Sequence, residues 1–526
     1  MNTSHNLNEV SSNAKVSRVA VAGIPWPAFA FLALTAAISL SWSYFKLLWW
    51  DEFLVLWTDS APTMGQVVHI QSTWPISLDP IAFHGIAHAA IQIFGANAFA
   101  VRLPSLLGFL LMQICIFVFV RRIAGEKPAV FALAFPALTA TFYYSAEGRP
   151  YGLLLGLSAL AMVSWQSAMR RESKRTLALA VLALSVAFAL NAHYYAVLFL
   201  IPLCGAELFR TIRRKRLDWP MIASIGAGAA GVAFTLPFIK AAANFRAHYY
   251  NLQSVDPATI GKAYIGMLHA SPITVNHEIA SQALLLVFAA LLCIHLLRSG
   301  KALMPEAEAV FVVLLAALPV FGYLLARFVT HIIEARFVLG AVIGISVLLA
   351  LGFSSLCRHV RIANAVLVLL FAAIGAYGSW HVRRERHLAR ETLSALNLAP
   401  EIKAVLMASP TKALYFSSGS EFANMSYYGP DPNIRSRAVL VYSTDLDLHW
   451  NHIDTYSLQA LHMRNFTYFK IESYESISAE PGPHVFVDCT DPVWNWIDRA
   501  FSVSGADVRL LGSAFGCKVV SAGSLP

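Results

Sequence analysis

The sequence predicts a polytopic α-helical membrane protein that carries a separate polar α/β domain at its C-terminus. Of its 526 residues, 57% are hydrophobic and only 13% are charged, whereas soluble domains have about 25% charged residues. Apolar stretches recur along the first three quarters of the chain, each close to the roughly 20 residues that cross a bilayer. The net charge of +9 does not indicate nucleic-acid binding, because the basic residues lie in short clusters between apolar stretches.

About eleven transmembrane helices are predicted, after a polar N-terminal tail at residues 1–25. The first runs from Trp26 to about Leu48 and has no small-residue cleavage site, so we interpret it as an uncleaved anchor. The other spans are predicted near 103–120, 128–145, 150–169, 176–192, 194–209, 220–239, 281–297, 308–326, 338–356 and 362–379. The stretch 81–100 is apolar but interrupted by polar residues, which favours an amphipathic interfacial helix, with a twelfth span as the alternative.

The distribution of Lys and Arg predicts the orientation of the chain. With the N-terminus in the cytoplasm, the short cytoplasmic loops hold about eighteen Lys and Arg residues and the opposite loops about eight. An odd number of spans then places the C-terminal domain outside. The predicted parts are a membrane domain at 26–380, with a first outer loop at 49–100, and an extracytoplasmic domain at 381–526.

The last 146 or so residues differ in composition from the rest and predict a small α/β domain. Short β-like runs lie at Ala413–Phe416, Ala438–Tyr442 and His484–Val487, and helix-like segments lie near 393–407 and 491–503. Two of the six cysteines, Cys489 and Cys517, belong to this region and could pair in an extracytoplasmic compartment.

Two adjacent carboxylates, Asp51 and Glu52, directly follow the first span. One interpretation is an interfacial tryptophan belt followed by charges that mark the end of a helix. The functional interpretation is that one carboxylate is a general base or a metal ligand. Since neighbouring residues point in different directions, one would act at the substrate and the other in a structural or metal-binding role.

Three further outer turns carry polar or charged clusters. They contain Glu147-Gly148-Arg149-Pro150-Tyr151, then Asn191-Ala192-His193-Tyr194-Tyr195, and finally Arg327, His331, Glu334 and Arg336. Charges this close to hydrocarbon are costly unless they are paired or used. Each cluster also has a purely structural interpretation. Glu147 and Arg149 could form a pair that caps the helix ends, and His193 could be an ordinary interfacial residue beside its aromatic neighbours. The cytoplasmic turns carry little besides Lys and Arg, and this asymmetry predicts an active site on the outer face, near the lipid headgroups.

Five motifs in matching order resemble the GT-C glycosyltransferases, over roughly residues 25–380. The closest likeness is to the protein mannosyltransferase-related branch, which includes bacterial aminoarabinose and galacturonic acid transferases. The motifs are Asp51-Glu52, Phe94-Gly95 with Ala100-Val101-Arg102-Leu103-Pro104-Ser105, Arg149-Pro150-Tyr151, His193-Tyr194 and Arg336-Phe337. The chain departs from the family at 74–80, where a Pro-Pro pair is common, at Glu147, and in its C-terminal domain.

The resemblance implies transfer of a sugar from a polyprenyl-phosphate carrier to an acceptor outside the cytoplasm, with inversion at the anomeric carbon. A hydroxyl acceptor would need a base, for which Asp51 is the candidate, whereas a phosphate or carboxylate acceptor is already nucleophilic and Asp51 would mainly orient it. Glu52 would hold the loop or bind a divalent cation, although no dedicated metal cage is visible. Four basic residues are candidates for the donor phosphate: Arg149, Arg336, Lys240 and Arg246. Further candidates for substrate binding are Arg102, Glu147, Tyr151, His193, Tyr194 and His331.

The expected location is the bacterial inner membrane, with the bilayer, a polyprenyl-phosphate sugar and an extracytoplasmic acceptor as partners. The acceptor is left open among lipid A or another glycolipid, a polysaccharide and a protein. Two alternatives belong to other classes: a transporter or flippase of lipid-linked saccharides, and a non-catalytic envelope assembly protein. A transporter favours charged residues within the spans and on both faces, whereas the non-basic clusters here are predicted on one face.

Overall fold

The computed structural model describes residues 24–170, 174–243, 255–268, 304–357, 359–409, 412–489, 496–514 and 516–522. Within them, seven helices are long and apolar enough to cross a membrane: Trp26–Phe45, Ala98–Ala124, Tyr151–Met169, Arg175–Ala192, Tyr194–Arg214, Trp219–Ala242 and Val360–Ala395. Two bent pairs raise this number to nine if each pair is one span. They are Glu126–Leu138 with Ala140–Ala146, bent by 77°, and Glu306–Ala316 with Leu318–Thr330, bent by 52°. The predicted span at 281–297 lies outside the described residues.

The apolar stretch 81–100 is divided by a helix stop. Its helix, Ile81–Phe94, has 14 residues and is therefore about 21 Å long, shorter than the roughly 30 Å of a bilayer core. Gly95 ends it with a φ of +83°, a conformation that favours glycine. Asn97 then accepts a hydrogen bond of 3.0 Å from the Ala100 N–H and caps the next helix. The Phe94-Gly95 motif is thus the boundary between a short helix and the second long span, Ala98–Ala124.

That second span packs closely against the helix Tyr151–Met169. A Cβ atom added to Gly152 would overlap the carbonyl oxygen of Ser105, and one added to Gly108 would overlap the Gly152 backbone. Helices approach this closely only through small residues. The contact brings the start of the second span beside the turn at 147–150.

The shorter helices complete the membrane domain and the first outer loop. They are Trp50–Asp59, Met64–Thr73, Ala258–Leu268 and Ala341–Leu356. The last span extends further than the sequence predicts, because the helix Val360–Ala395 continues for 16 residues beyond position 379 into the C-terminal region.

The C-terminal region contains the predicted α/β domain, built on one six-stranded sheet with the order β3-β2-β1-β4-β6-β5. The three predicted strands are confirmed as β1 (Leu414–Phe416), β2 (Ala438–Tyr442) and β4 (His484–Asp488). Three others were not predicted: β3 (Lys470–Ser473), β5 (Val508–Ala514) and β6 (Cys517–Ala522). Strands β3, β2, β1 and β4 are parallel, and β6 pairs antiparallel with β4 and β5. β3 and β5 are edge strands whose sequences do not alternate between apolar and polar residues.

Among the described residues of this region, seven α-helices accompany the sheet: Pro400–Met407, Gly419–Tyr428, Pro432–Arg435, Thr444–Leu446, Thr455–Met463, Tyr474–Ser478 and Trp496–Ser504. A π-helical turn, Asp447–Asn451, follows the fourth. The single helix predicted at 393–407 is two helices, because Pro400 begins a new one at its first position. The predicted helix at 491–503 is described from residue 496 onward and ends at Ser504.

The domain is fixed to the first outer loop by a shared core. Buried Phe53 and Ile76 from the loop belong to the same apolar cluster as Ile402 and Leu414 from the domain. Tyr428 also accepts a hydrogen bond of 3.0 Å from the Leu48 N–H. The C-terminal domain therefore lies on the same side of the helical bundle as the loop that carries Asp51.

Cys489 and Cys517 form a disulfide that links the end of β4 to the start of β6, across a sequence separation of 28. Reduction of the denatured protein should expose two additional thiols, which peptide mass spectrometry after a second alkylation would place at these two positions. In the control variant Cys489→Ser, Cys517 should react before reduction. Loss of a bridge across a loop of this length should lower the free energy of unfolding by about 3 kcal/mol. Alkylation of both thiols before reduction would contradict the pairing.

Candidate active site

A cleft of about 280 Å³ lies where the turns that carry the predicted site residues meet the C-terminal domain. Six of the predicted site residues line it: Asp51, Arg149, Tyr151, His193, Tyr194 and Arg336. They come from four turns that are far apart in sequence. Tyr151 and Tyr194 are the first residues of two apolar spans, so the cleft lies at the ends of the membrane helices.

Asp51 lies between two guanidinium groups. Its Oδ2 is 3.9 Å from Arg149 Nε and 3.9 Å from Arg336 Nη1. Each arginine is held more closely by another carboxylate. Arg149 Nη1 is 3.0 Å from Asp79 Oδ2, and Arg336 Nε is 2.7 Å from Glu334 Oε2. Asp79 and Glu334 therefore hold the two guanidinium groups in place, and Asp51 makes a longer contact to each of them.

The opposite charges of Arg149 and Asp79 keep the pair ionised despite its burial. Burial lowers the pKa of Arg149, but the carboxylates of Asp79 and Asp51 raise it above its usual range. For Asp79 the directions are reversed. Burial raises its pKa, but the positive charge of Arg149 lowers it, and the resulting pKa of Asp79 is lower than usual. Ser77 supports the pair by accepting from Arg149 Nη1 at 3.2 Å and donating to Asp79 at 3.0 Å.

His193 is a neutral imidazole in this cleft. Burial lowers its pKa to about 4, and Arg149 and Arg336 act in the same direction, while Asp79 opposes them. Its Nδ1 accepts a hydrogen bond of 3.2 Å from the Tyr195 N–H. The neutral ring therefore carries its proton on Nε2, which makes His193 a hydrogen-bond donor at neutral pH.

Glu52 does not line the cleft. It is fully buried beside Arg102, whose Nε donates to Glu52 Oε1 at 2.7 Å and whose Nη2 donates to Oε2 at 2.5 Å. Arg102 also donates to the carbonyl oxygens of Ser43, Lys46 and Leu47. Burial alone would raise the pKa of Glu52, but Arg102 and Lys46 lower it to about 2. The two predicted catalytic carboxylates thus have different environments, and Glu52 and Arg102 form an internal ion pair.

Gly148 connects this ion pair to the turn that carries Arg149. Its N–H donates to Glu52 Oε1 at 2.6 Å. A Cβ atom at this position would overlap the side chain of Val101, so the turn needs glycine here. Glu147, the preceding residue, is 2% exposed and lies behind the cleft rather than in its lining.

Glu52 does not fit the role of a metal ligand. Both of its oxygens already accept hydrogen bonds, from Arg102, from Gly148 and from the Trp49 N–H at 3.3 Å. In the part of the chain that the structure describes, the one cluster of three metal-ligating side chains is Glu421 with Cys489 and Cys517. Those two cysteines are joined in the disulfide, and the cluster does not line the cleft.

The remaining predicted phosphate and substrate ligands lie away from the lining. Lys240 is exposed on the short helix Leu236–Ala242, of which Ala242 reaches the cleft. His331 is exposed with a φ of 56°, although the next residue, Ile332, lines the cleft. Arg246 lies outside the described residues.

Other lining residues were not predicted from the sequence. Asp79 belongs to the segment 74–80, where the departure from the family pattern was visible and its charge was an available signal. Thr455, Tyr456 and Gln459 come from the C-terminal domain. They are neutral and carry no motif, so no pattern in the sequence points to them.

The Glu52–Arg102 pair generates a stability prediction. Glu52→Gln leaves the Arg102 guanidinium buried without its counter-charge, which should lower the free energy of unfolding by about 3–5 kcal/mol. Thermal unfolding of the purified protein, followed by tryptophan fluorescence, would measure the loss. Asp51→Asn is the matched control and should melt close to the wild type, because Asp51 is partly exposed and its contacts are long. Equal melting of Glu52→Gln and the wild type would show that the pair is dispensable.

Glu147 should make stability depend on pH. Burial raises its pKa to about 7, with Lys46 opposing. A carboxyl whose folded-state pKa is raised contributes stability that is complete below its ordinary value near 4.5 and is lost as the pH rises through 7. Between pH 5 and pH 8 the wild-type Tm should therefore fall relative to the Tm of Glu147→Gln, which has no carboxyl to ionise. For the exposed control Glu401→Gln, the difference in Tm from the wild type should stay constant over this range. A constant difference for Glu147→Gln as well would contradict the prediction.

Known proteins share parts of this architecture. Residues 79–239 match the family model described as dolichyl-phosphate-mannose-protein mannosyltransferase. The chain is similar to the structure of ArnT from Cupriavidus metallidurans in the apo state, with a TM-score of 0.56 and 11% identity over 94% of this chain and 98% of that chain. It is also similar to the same protein bound to undecaprenyl phosphate, with a TM-score of 0.57 and 10% identity over 94% and 97%. No curated protein matches the sequence.

The matched segment 79–239 contains Asp79, Arg149 and His193, which line the cleft. At these identities the structural likeness concerns the fold. The chain is a polytopic membrane protein with the GT-C-type fold of ArnT and a C-terminal α/β region, and residues 79–239 match the mannosyltransferase family model.

Proposed function

We propose that this protein is a membrane glycosyltransferase that moves a sugar from a polyprenyl-phosphate donor to an extracytoplasmic acceptor, with inversion at the anomeric carbon. The observation that carries the proposal is the Asp51 carboxylate placed between Arg149 and Arg336 in a cleft at the ends of apolar helices. The family-model match and the ArnT-type fold support the same class of enzyme.

The two arginines would bind the donor phosphate. Departure of a polyprenyl phosphate leaves negative charge on its oxygens, and guanidinium groups bind phosphate in bidentate geometry. Their position at the ends of the spans suits a carrier whose chain lies in the bilayer while its phosphate lies at headgroup depth. The ArnT structure with undecaprenyl phosphate is consistent with such a donor.

Asp51 would act as the general base. It would accept the proton of the acceptor as the acceptor oxygen attacks the anomeric carbon from the face opposite the leaving phosphate. This attack inverts the anomeric centre. The Nε2–H of neutral His193 would donate a hydrogen bond to a sugar or phosphate oxygen.

The active face would be extracytoplasmic, in the inner membrane of a bacterium. The excess of Lys and Arg in the loops on the other side of the membrane, predicted to be cytoplasmic, supports this orientation. The disulfide supports it too, because such bonds persist in oxidising compartments. The acceptor would be an envelope glycolipid, a polysaccharide or a protein.

Asp51→Asn should abolish transfer without weakening donor binding. Loss of a general base lowers the rate by about 10²–10⁴-fold, whereas the arginines remain in place. Mass spectrometry of envelope glycolipids and polymers from cells that lack the gene, and from cells complemented with the wild type or the variant, would measure transfer. Undecaprenyl phosphate binding to the purified variant would measure the donor site, with Glu401→Gln as the control. Full transfer by Asp51→Asn would refute the assignment, and equal envelope composition with and without the wild-type gene would refute the function.

A further inference from the structure

The C-terminal domain contributes one wall of the cleft. The wall is the start of the helix Thr455–Met463, from which Thr455, Tyr456 and Gln459 line the same space as Asp51 and the arginines. Roughly 400 residues of sequence separate this helix from Asp51, so the contact exists only because the domain docks on the first outer loop.

Hydrogen bonds hold the wall in a defined position. Gln459 donates from Nε2 to the Ile76 carbonyl oxygen at 2.8 Å, and its Oε1 accepts from Trp50 Nε1 at 3.0 Å. One turn further along, His462 Nδ1 donates to the Pro75 carbonyl oxygen at 2.9 Å. The helix is thereby joined to both elements that carry cleft carboxylates: the helix of Asp51 and the segment of Asp79.

Unlike the side chain of Gln459, the Thr455 hydroxyl has no hydrogen-bond partner among the residues that the structure describes. Thr455 is only 5% exposed, and its hydroxyl Oγ1 is a buried polar atom without a hydrogen bond, although the residue lines the cleft. Buried hydroxyls are normally satisfied, because leaving one unpaired costs free energy. An oxygen or N–H of a bound substrate would satisfy it.

The charges of the cleft limit what that substrate can be. Among the described lining residues, two guanidiniums, Arg149 and Arg336, face two carboxylates, Asp51 and Asp79. His193 is neutral, since its pKa is about 4. The lining is thus balanced before any substrate binds, and the donor phosphate already adds negative charge. A second phosphate, from an acceptor, would find no further counter-charge among the described lining residues.

From this wall and this charge balance we infer that Thr455 binds the acceptor, and that the acceptor reacts through a hydroxyl of a neutral sugar or alcohol rather than through a phosphate. The inference rests on the proposed function and names its substrate class. The acceptor O–H gives its proton to Asp51, and its oxygen forms the new bond to the anomeric carbon. The bond from that carbon to the phosphate oxygen breaks, and its electron pair leaves with the polyprenyl phosphate.

Three variants of the full-length protein test the role of Thr455. Thr455→Val keeps the shape and removes the hydroxyl, and Thr455→Ser keeps the hydroxyl. Leu461→Ala is the control, because Leu461 belongs to the same helix but is 37% exposed and does not line the cleft. Complemented deletion cells would be assayed for the transferred sugar by mass spectrometry, and the purified proteins for binding of undecaprenyl phosphate. Thr455→Val should give about tenfold less transfer, the effect of one hydrogen bond, whereas Thr455→Ser and Leu461→Ala should retain it.

Undecaprenyl phosphate should bind all three variants as it binds the wild type. Full transfer by Thr455→Val, or weaker binding of undecaprenyl phosphate to it, would overturn the assignment to the acceptor. The linkage of the wild-type product tests the substrate class independently, even if Thr455→Val does not fold. Mild acid releases a sugar bound through phosphate and leaves a sugar bound to a hydroxyl oxygen. Release would overturn the hydroxyl acceptor but not the glycosyltransferase, whereas no transferred sugar in the wild type would overturn both.

Discussion

The buried pair of Glu52 and Arg102 holds together the elements that form the cleft. All five N–H groups of Arg102 donate hydrogen bonds, two to Glu52 and three to carbonyl oxygens at the end of the first span. Glu52 in turn accepts from Gly148. Two buried charges are tolerated only when every donor and acceptor is satisfied, which is the case here. The first span, the second span and the turn of Arg149 are therefore joined at one point.

This constraint also determines the position of Asp51. Successive residues of a helix are rotated by about 100°, so an inward Glu52 turns its neighbour Asp51 toward a different surface, and that surface is the cleft. The same pair positions Arg149, because the Gly148 N–H that binds Glu52 belongs to the preceding residue. A change that loosens the pair would thus displace a carboxylate and a guanidinium together, without contacting any substrate.

The sequence predicts the larger part of this arrangement, for a topological reason. Four site residues follow or precede spans that all end on one face of the membrane: Asp51, Arg149, His193 and Arg336. The topology alone therefore places them at a common surface, and no detail of helix packing is needed to predict it. From their residue types alone Asp51 and Glu52 are equivalent, since both are acidic and adjacent. The family resemblance gives them different roles, and the structure shows that Glu52 is the buried one. Asp79 and Thr455 depend on how a loop and a distant domain fold back over the cleft. Such contacts leave no periodicity in the sequence. The edge strands β3 and β5 escape prediction for a similar reason, because pairing with a neighbour rather than an alternating pattern defines them.

The unequal distances around the two arginines bear on how a donor would enter the cleft. Charge-assisted N–H···O contacts are typically about 2.7–2.9 Å. Arg149–Asp79 at 3.0 Å and Arg336–Glu334 at 2.7 Å are near that range, whereas both contacts to Asp51 are 3.9 Å. Under the proposed function, a donor phosphate can displace Asp51 from the guanidiniums while Asp79 and Glu334 keep them in place. The carboxylate that loses its cations is then the one beside the acceptor. Donor binding would in this way free Asp51 to contact the acceptor, while the two arginines stay in place to bind the leaving phosphate.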